Sequence, residues 1–232
     1  MNFHFLWRLL YNNSARMYDF LSFLVSWGKW KAWCRTSLDF LKERRILELA
    51  NGPGHLLISL KNAGHQPVGI DLSPRMIRRA RQRLRRAGID VPLVRCRTQA
   101  LPFRSGSFDE VVATFPTDYI FDHDTIREVS RVTSGRGKLV VVAGAQHKGL
   151  QPDSDFCQWI QGMTGKTGTR QEREKSPFVR QGMQTRIEHK QVGDGLVTLI
   201  IAEMHRRDAD APTDPGHPEE PETAMREPSS DR

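Results

Sequence analysis

Two glycines and two acids within residues 48–71 carry the clearest chemical signal in the chain. The run Glu48-Leu49-Ala50-Asn51-Gly52-Pro53-Gly54 continues an apolar stretch that starts at Ile46, and Asp71 closes the next apolar stretch. Glycines in a strand-to-helix turn remove side chains, so that backbone N–H groups can approach a ligand. A carboxylate about 20 residues further on can hold two ribose hydroxyls. This is the chemistry of a nucleoside cofactor. A dinucleotide fingerprint would place glycines at positions 50, 52 and 55, where the chain has Ala50, Gly52 and His55. Read as acid-x-G-x-G-x-G, the run matches at Glu48, Gly52 and Gly54, with alanine at the first glycine position.

Other reactive side chains are arranged less informatively. Cys34, Cys96 and Cys157 form no CxxC pair, which excludes a disulfide framework or a zinc cluster built from them and points to reduced thiols in a cytoplasmic protein. None of the eight histidines forms HExxH or pairs with cysteine at ligand spacing, so no metal site is expected. Lys166-Thr167 in GMTGKTGT is not a phosphate loop, because position 160 is Ile160 and no strand precedes it. Asp122-His123-Asp124, ahead of Ile126, Val129 and Val132, reads as a helix cap.

The elements that must position the glycines and Asp71 begin at residue 45. Apolar runs alternate with helical stretches from there, as in βαβ units with a mainly parallel sheet. Ile46 to Leu49 reads as the first strand, and the glycine turn leads into a helix through Leu56, Leu57 and Leu60. Pro67 to Asp71 reads as the second strand, with Ser73-Pro74 opening another helix. That helix places Ile77, Ala80, Leu84 and Ala87 inward and Arg75, Arg78, Arg79, Arg81, Arg83, Arg85 and Arg86 outward. Phe108 to Thr114 reads as strand four. Within 192–204, Val197, Leu199 and Ile201 alternate after Gly193-Asp194-Gly195, as in the last strand of a closing hairpin.

Taken in order, these segments resemble the class I S-adenosylmethionine-dependent methyltransferases, in particular the type 11 and quinone-biosynthesis groups. ILELANGPGHLL, VGIDLSPRMIRRARQRL, QALPFRSGSFDEVVATF and TIREVSRVTSGRGKLVVV lie in order within residues 45–143, and LPF-x(3)-SFD-x-V is the most specific of the matches. Upstream, YDFLSFLVSWGKWKAW is similar in layout to the N-terminal helices of quinone-biosynthesis methyltransferases. The resemblance implies a Rossmann-like α/β fold of about seven strands, mostly parallel and flanked by helices, with an antiparallel closing strand and an N-terminal helical cap. It implies S-adenosyl-L-methionine as cofactor and methyl transfer as activity.

The same resemblance assigns roles by matched position. Gly52 and Gly54, with Ala50 and Asn51 before them, would let the backbone approach the methionine portion, and Glu48 would orient the loop or the amino group. Asp71 would hold the ribose, Leu72 and Met76 would border the adenine, and Thr114, Phe115 and Pro116 would border the transferable methyl. The chain departs from the family at Ala50, at Ser134-Gly135-Arg136-Gly137 where a proline-glycine-glycine turn is usual, and at Arg97, Thr98 and Gln99. Many relatives carry an acid in that last loop to meet the adenine amino group. Thr98, Gln99 or backbone groups would take its place. Methyl transfer from a sulfonium depends mainly on alignment and desolvation. A dedicated base is optional, and Asp118, Tyr119 and His123 are the nearby candidates, with packing or capping as their alternative roles.

Composition bounds the remainder. With 38% hydrophobic and 27% charged residues, the chain can build a core, which excludes wholesale disorder and fibrous classes. No stretch reaches the about 18 apolar residues of a spanning helix. The net charge of +8 is split, because residues 208–232 carry eight acids against Arg226 and Arg232, leaving +14 on residues 1–207. Five prolines and few large apolar side chains make 208–232 an expected disordered tail. Residues 1–40 hold eleven of the nineteen aromatics. Phe20, Phe23, Leu24 and Trp27, then Trp30, Trp33 and Cys34, recur at helical spacing. Such helices would cap the core, cover an apolar substrate, or touch a membrane surface through the tryptophans beside Lys29, Lys31 and Arg35.

The expected division is therefore a helical cap over 1–44, a methyltransferase domain over 45–207 and an acidic tail over 208–232. The arginine face of residues 75–86 reads as solvated surface, paired with the acidic tail, or as a phosphate-contacting patch. The lack of interleaved aromatics favours the former. The aromatic cap points to a quinone-like, lipid or other hydrophobic small acceptor. A nucleic-acid methyltransferase and a non-catalytic binding module of the same fold are the alternatives.

Overall fold

In the computed structural model, which describes residues 29–147 and 176–204, the apolar runs are strands. They are β1 (Arg45–Leu49), β2 (Gln66–Asp71), β3 (Leu93–Arg95), β4 (Phe108–Thr114), β5 (Thr133–His147), β6 (Met183–Val192) and β7 (Gly195–Met204). The helices are α1 (Trp30–Arg35), α2 (His55–Asn62), α3 (Pro74–Arg86), α4 (His123–Val132) and α5 (Pro177–Arg180), with 3-10 turns at Thr36–Phe40 and Asp118–Phe121. Residues 1–28 of the expected cap, the GMTGKTGT run and the acidic tail lie outside the described residues.

The strands form one sheet in the order β3-β2-β1-β4-β5-β7-β6. β1 pairs in parallel with β2 and β4, β2 with β3, and β4 with β5, while β7 runs antiparallel to both β5 and β6. The mostly parallel sheet with an antiparallel closing strand is as the sequence implies. Strand order reverses between β1 and β4, so the crevice at their C-terminal ends is where a doubly wound sheet binds its ligand.

Both faces of the sheet are covered, which is why its strands read as continuous apolar runs rather than alternating ones. Leu47, Leu49, Val111, Ala113, Leu139 and Val141 pack with Ile126 and Val129 of α4 and Phe178 of α5. Ile46, Val112, Val140, Val142, Leu199 and Ile201 pack with Trp33 of α1 and Leu56 and Leu60 of α2. The LPF segment is stapled to α4: Glu128 accepts the Leu101 N–H at 2.8 Å, and Arg131 donates to the Leu101 and Phe103 carbonyls. Phe103 meets Phe108 edge-on at 4.9 Å.

Three details differ from the apolar pattern. β1 and β2 each begin one residue early, because the Arg45 N–H bonds Asp109 at 3.0 Å and the Gln66 N–H bonds the Arg44 carbonyl at 2.7 Å. Ala87 is not part of the inward stripe of α3: it is the exposed C-cap residue, and Met76 is buried with Ile77, Ala80 and Leu84 instead. The Ser134–Gly137 turn lies inside β5, where pairing with β4 jumps from Phe108↔Thr133 to Glu110↔Lys138. A Cβ on Gly137 would stand 2.3 Å from the Asp109 carbonyl oxygen, so only glycine passes there.

α1 is held over the sheet by ties to the β6–β7 hairpin. Lys29 forms an ion pair with Asp194, Lys190 reaches Asp39 at 2.6 Å, and the same ammonium lies 5.5 Å from the centre of the Phe40 ring.

Candidate cofactor site

The turn after β1 needs left-handed backbone at three of five positions: Ala50 at φ +47°, Gly52 at +51° and Gly54 at +79°. Alanine is strained in this region by roughly 1 kcal/mol, so the missing first glycine alters the energy of the turn rather than its path. The Asn51 N–H donates to the Ile70 carbonyl at 2.8 Å, and the Gly54 N–H to the Asn51 carbonyl at 2.9 Å. The two glycines have different neighbours. A Cβ on Gly54 would sit 3.0 Å from the Ala80 Cβ of α3, whereas one on Gly52 would meet nothing nearer than the Ala50 oxygen at 3.9 Å. Gly54 lets α2 and α3 approach each other, and Gly52 leaves the ligand side of the loop open.

Asp71, at the tip of β2, ties this loop to the next strand. Its Oδ2 accepts the Gly52 N–H at 2.9 Å and its Oδ1 accepts the Ser73 N–H at 2.7 Å. Ser73 also caps α3, its hydroxyl accepting the Met76 N–H. Burial raises the Asp71 pKa, and the two N–H donors act against that rise. Glu48 lies 2% exposed at the end of β1, with Oε2 lacking a hydrogen-bond partner among the described residues. Burial, then the charge of Asp71, pushes the Glu48 carboxyl well above its ordinary range. Oδ1 of the buried Asn51 is likewise unpartnered among the described residues. Unsatisfied buried oxygens are costly. The Glu48 oxygen beside an open glycine loop fits a donor-bearing ligand, whereas Asn51 Oδ1 faces Gly69, where a Cβ would stand 2.9 Å from it.

Around this centre, Leu72 is 53% exposed, an unusual state for leucine directly after a buried strand end. Met76 turns into the core beneath it. Thr98 is buried with its hydroxyl 3.0 Å from that of Thr125, and Gln99 donates to Asp122 at 2.9 Å, so both side chains engage the first turn of α4. Asp122 caps that helix, accepting the Asp124 N–H at 3.0 Å, as the sequence suggests. The Gln99 hydrogen bond holds the Asp122 carboxyl below its usual range.

At the tip of β4, Phe115 is left-handed at φ +47° and its N–H bonds the Val142 carbonyl at 2.8 Å. Its ring stacks on Trp30 at 4.0 Å, with Trp33 tilted at 6.4 Å. Thr114 lies near the buried Cys34 thiol, which burial raises to about 12. Asp118 and His123 are exposed beside this tip, with His123 Nε2 3.3 Å from the Gln181 amide, and the Tyr119 ring packs against the core.

The sequence places Trp30, Trp33 and Cys34 on a helix that would cap the core, cover an apolar substrate or touch a membrane, without naming the strand end they meet. Their i, i+3, i+4 spacing marks one helix face but not the strand tip which that face covers. His55, which stands where a dinucleotide loop has glycine, is lowered to about 4 by burial and by the charges of Arg83 and Lys31. No group of three or more possible metal ligands occurs among the described residues.

Residues 46–137, which contain the glycine loop, Asp71 and the β4 tip, match the family model described as a methyltransferase domain. Over these residues the chain is similar to known methyltransferases. It is 34% identical over 139 residues to the demethylmenaquinone methyltransferase of Thermus thermophilus, covering 57% of this chain and 63% of the relative. It is 31% identical over 159 residues to a ubiquinone/menaquinone biosynthesis C-methyltransferase of Xanthomonas oryzae, covering 63% and 62%. The chain thus spans about three fifths of the length of these relatives. A putative S-adenosyl-L-methionine-dependent methyltransferase structure from Methanococcus maripaludis shares the fold, with a TM-score of 0.58, 17% identity and coverage of 84% of this chain and 93% of that one. No helix among the described residues is long and apolar enough to cross a membrane.

Proposed function

We propose that the chain binds S-adenosylmethionine and transfers its methyl group to a small hydrophobic acceptor of the quinone type. The supporting observation is the state of Asp71. Each of its oxygens accepts one backbone N–H, from Gly52 and from Ser73. A carboxylate oxygen accepts two hydrogen bonds, so each retains a lone pair for one hydroxyl of a ribose.

The other residues present fit the same cofactor. The open side of Gly52 admits the methionine portion, and the unpartnered oxygen of Glu48 suits its ammonium group. A cation beside Glu48 favours the ionised carboxylate and so opposes the rise in its pKa that burial causes. The exposed Leu72 offers an apolar surface to the adenine, with the backbone of 95–99 to meet its edge. When bound, the cofactor supplies a methyl on a positively charged sulfur. Thr114 and Phe115 would border that methyl, and Trp30 and Phe115 supply flat apolar surface for an acceptor ring. Alignment and exclusion of water are then the protein's main contributions. The names of the relatives, which concern demethylmenaquinone and ubiquinone/menaquinone biosynthesis, agree with a quinone-type acceptor. The division into cap, domain and tail belongs to this reading, with α1 as the described part of the cap.

Calorimetric titration with S-adenosylmethionine, S-adenosylhomocysteine and NAD tests the cofactor. Binding of the first two alone, strongly weakened in Asp71→Ala, is expected, and binding of NAD alone would overturn the reading. Mass analysis of demethylmenaquinone incubated with protein and S-adenosylmethionine tests the acceptor class. A gain of one methyl is expected, and methylation of RNA but not of the quinone would replace it.

A further inference from the structure

Helix α3 has no acidic residue, and five of its arginines, Arg75, Arg78, Arg81, Arg85 and Arg86, are exposed. At about 100° per residue, these five and Gln82 fill one continuous face of roughly 140°, opposite the buried Met76, Ile77, Ala80 and Leu84. None of the five forms an ion pair among the described residues. Arg75, Arg78, Arg81 and Arg85 succeed one another at spacings of three or four positions, where like charges repel. An anionic chain laid along this face would relieve that repulsion.

We infer that the occupant is the chain's own acidic segment, residues 208–232. That segment carries Asp208, Asp210, Asp214, Glu219, Glu220, Glu222, Glu227 and Asp231 against two arginines. It follows β7, whose last residue, Met204, pairs with the first residue of β6. This end of β7 lies beside Lys138, near the start of the parallel run of β5. α3 descends from the C-terminal tip of β2 to the start of β3, so its Arg81, Arg85 and Arg86 end lies at that same edge of the sheet. Four strand spacings separate β2 from β7, roughly 20 Å at about 4.8 Å each. Residues 205–232 bridge this with ease at about 3.3 Å per extended residue. The tether gives the segment an effective concentration in the millimolar range, ahead of any free polyanion in dilute solution. The segment thereby screens the arginine face from nucleic acid and from anionic lipid surfaces.

The test compares the full chain with a version ending at residue 207 and with Arg81→Gln/Arg85→Gln/Arg86→Gln in both, using fluorescein-labelled heparin as probe. Truncation is expected to tighten heparin binding about tenfold at about 0.05 M salt. The gain should vanish at about 0.5 M salt and be absent in the arginine variant. A synthetic peptide of residues 208–232 should bind the truncated protein and restore the weaker heparin affinity. Equal heparin affinity with and without the segment overturns the inference, as does peptide binding that survives the arginine substitutions. Vesicles with about 30% phosphatidylserine that bind the full chain as tightly as the truncated one would also overturn it.

Discussion

The loop between β1 and β2 and the tip of β4 face the same crevice but are held by different means. At the first, backbone N–H groups do the work: Gly52 and Ser73 grip Asp71, and Asn51 bonds Ile70. At the second, aromatic area dominates, with Phe115 stacked on Trp30 and flanked by Trp33, both from a helix that precedes the whole sheet in the chain. The polar end suits a ligand with a sugar, an ammonium and a fixed shape. The aromatic end suits a flat apolar partner and discriminates by fit rather than by hydrogen bonds. Under the proposed function such a division would serve methyl transfer, since one ligand is constant and the other sets specificity.

The largest expected effect breaks the polar end alone. Asp71→Ala should weaken S-adenosylmethionine binding about 100-fold, the weight of two hydrogen bonds to a charged group at roughly 1.5 kcal/mol each, read by calorimetry. Gly54→Ala should cost about 1–3 kcal/mol of stability in denaturant melts, because its Cβ would press on Ala80 at 3.0 Å from a left-handed backbone. Gly52→Ala should cost less stability yet more cofactor affinity, which separates packing from ligand approach within one loop. At the aromatic end, Trp30→Ala should lower kcat/KM for a quinone-type acceptor about tenfold, with the cofactor Kd unchanged in the same preparation.

Smaller effects sharpen the contrast. Unfolded Glu48 titrates near about 4.3, whereas burial raises the folded group well above that. The folded state therefore holds the extra proton, and stability falls as pH rises from the unfolded value to the folded one. Glu48→Gln should remove this slope in thermal melts of the cofactor-free protein and stabilise it at alkaline pH. Ala50→Gly should add at most about 1 kcal/mol by relieving the left-handed strain, with no change at the β4 tip.

The two regions also differ in how far the sequence reveals them. The glycine loop, Asp71 and strand four are contiguous patterns in which spacing itself carries the geometry, so Phe108–Thr114 is found at its observed bounds. The stacking of Trp30 on Phe115 and the approach of Cys34 to Thr114 depend on how α1 crosses the sheet, which no local period encodes. The same limit applies to Thr98 and Gln99: their position after strand three is readable, but their turn toward Thr125 and Asp122 depends on where α4 docks. Ala87 continues the helical period of its stripe, and only the chain reversal at Gly88, with φ +65°, takes it out of the core.

The insertion of β7 between β5 and β6 bears on the order of events during synthesis. Strands β1 to β4 follow one another closely and find their neighbours early, but Leu139 of β5 pairs with Ala202, which emerges only after the whole of β6. At about 5–20 residues per second, several seconds pass in which a strand bearing Val140, Val141 and Val142 has an unpaired edge. The cofactor loop can close in that interval. A nascent chain that binds S-adenosylmethionine early would hold β1, β2 and β4 together while β5 waits for its last neighbour.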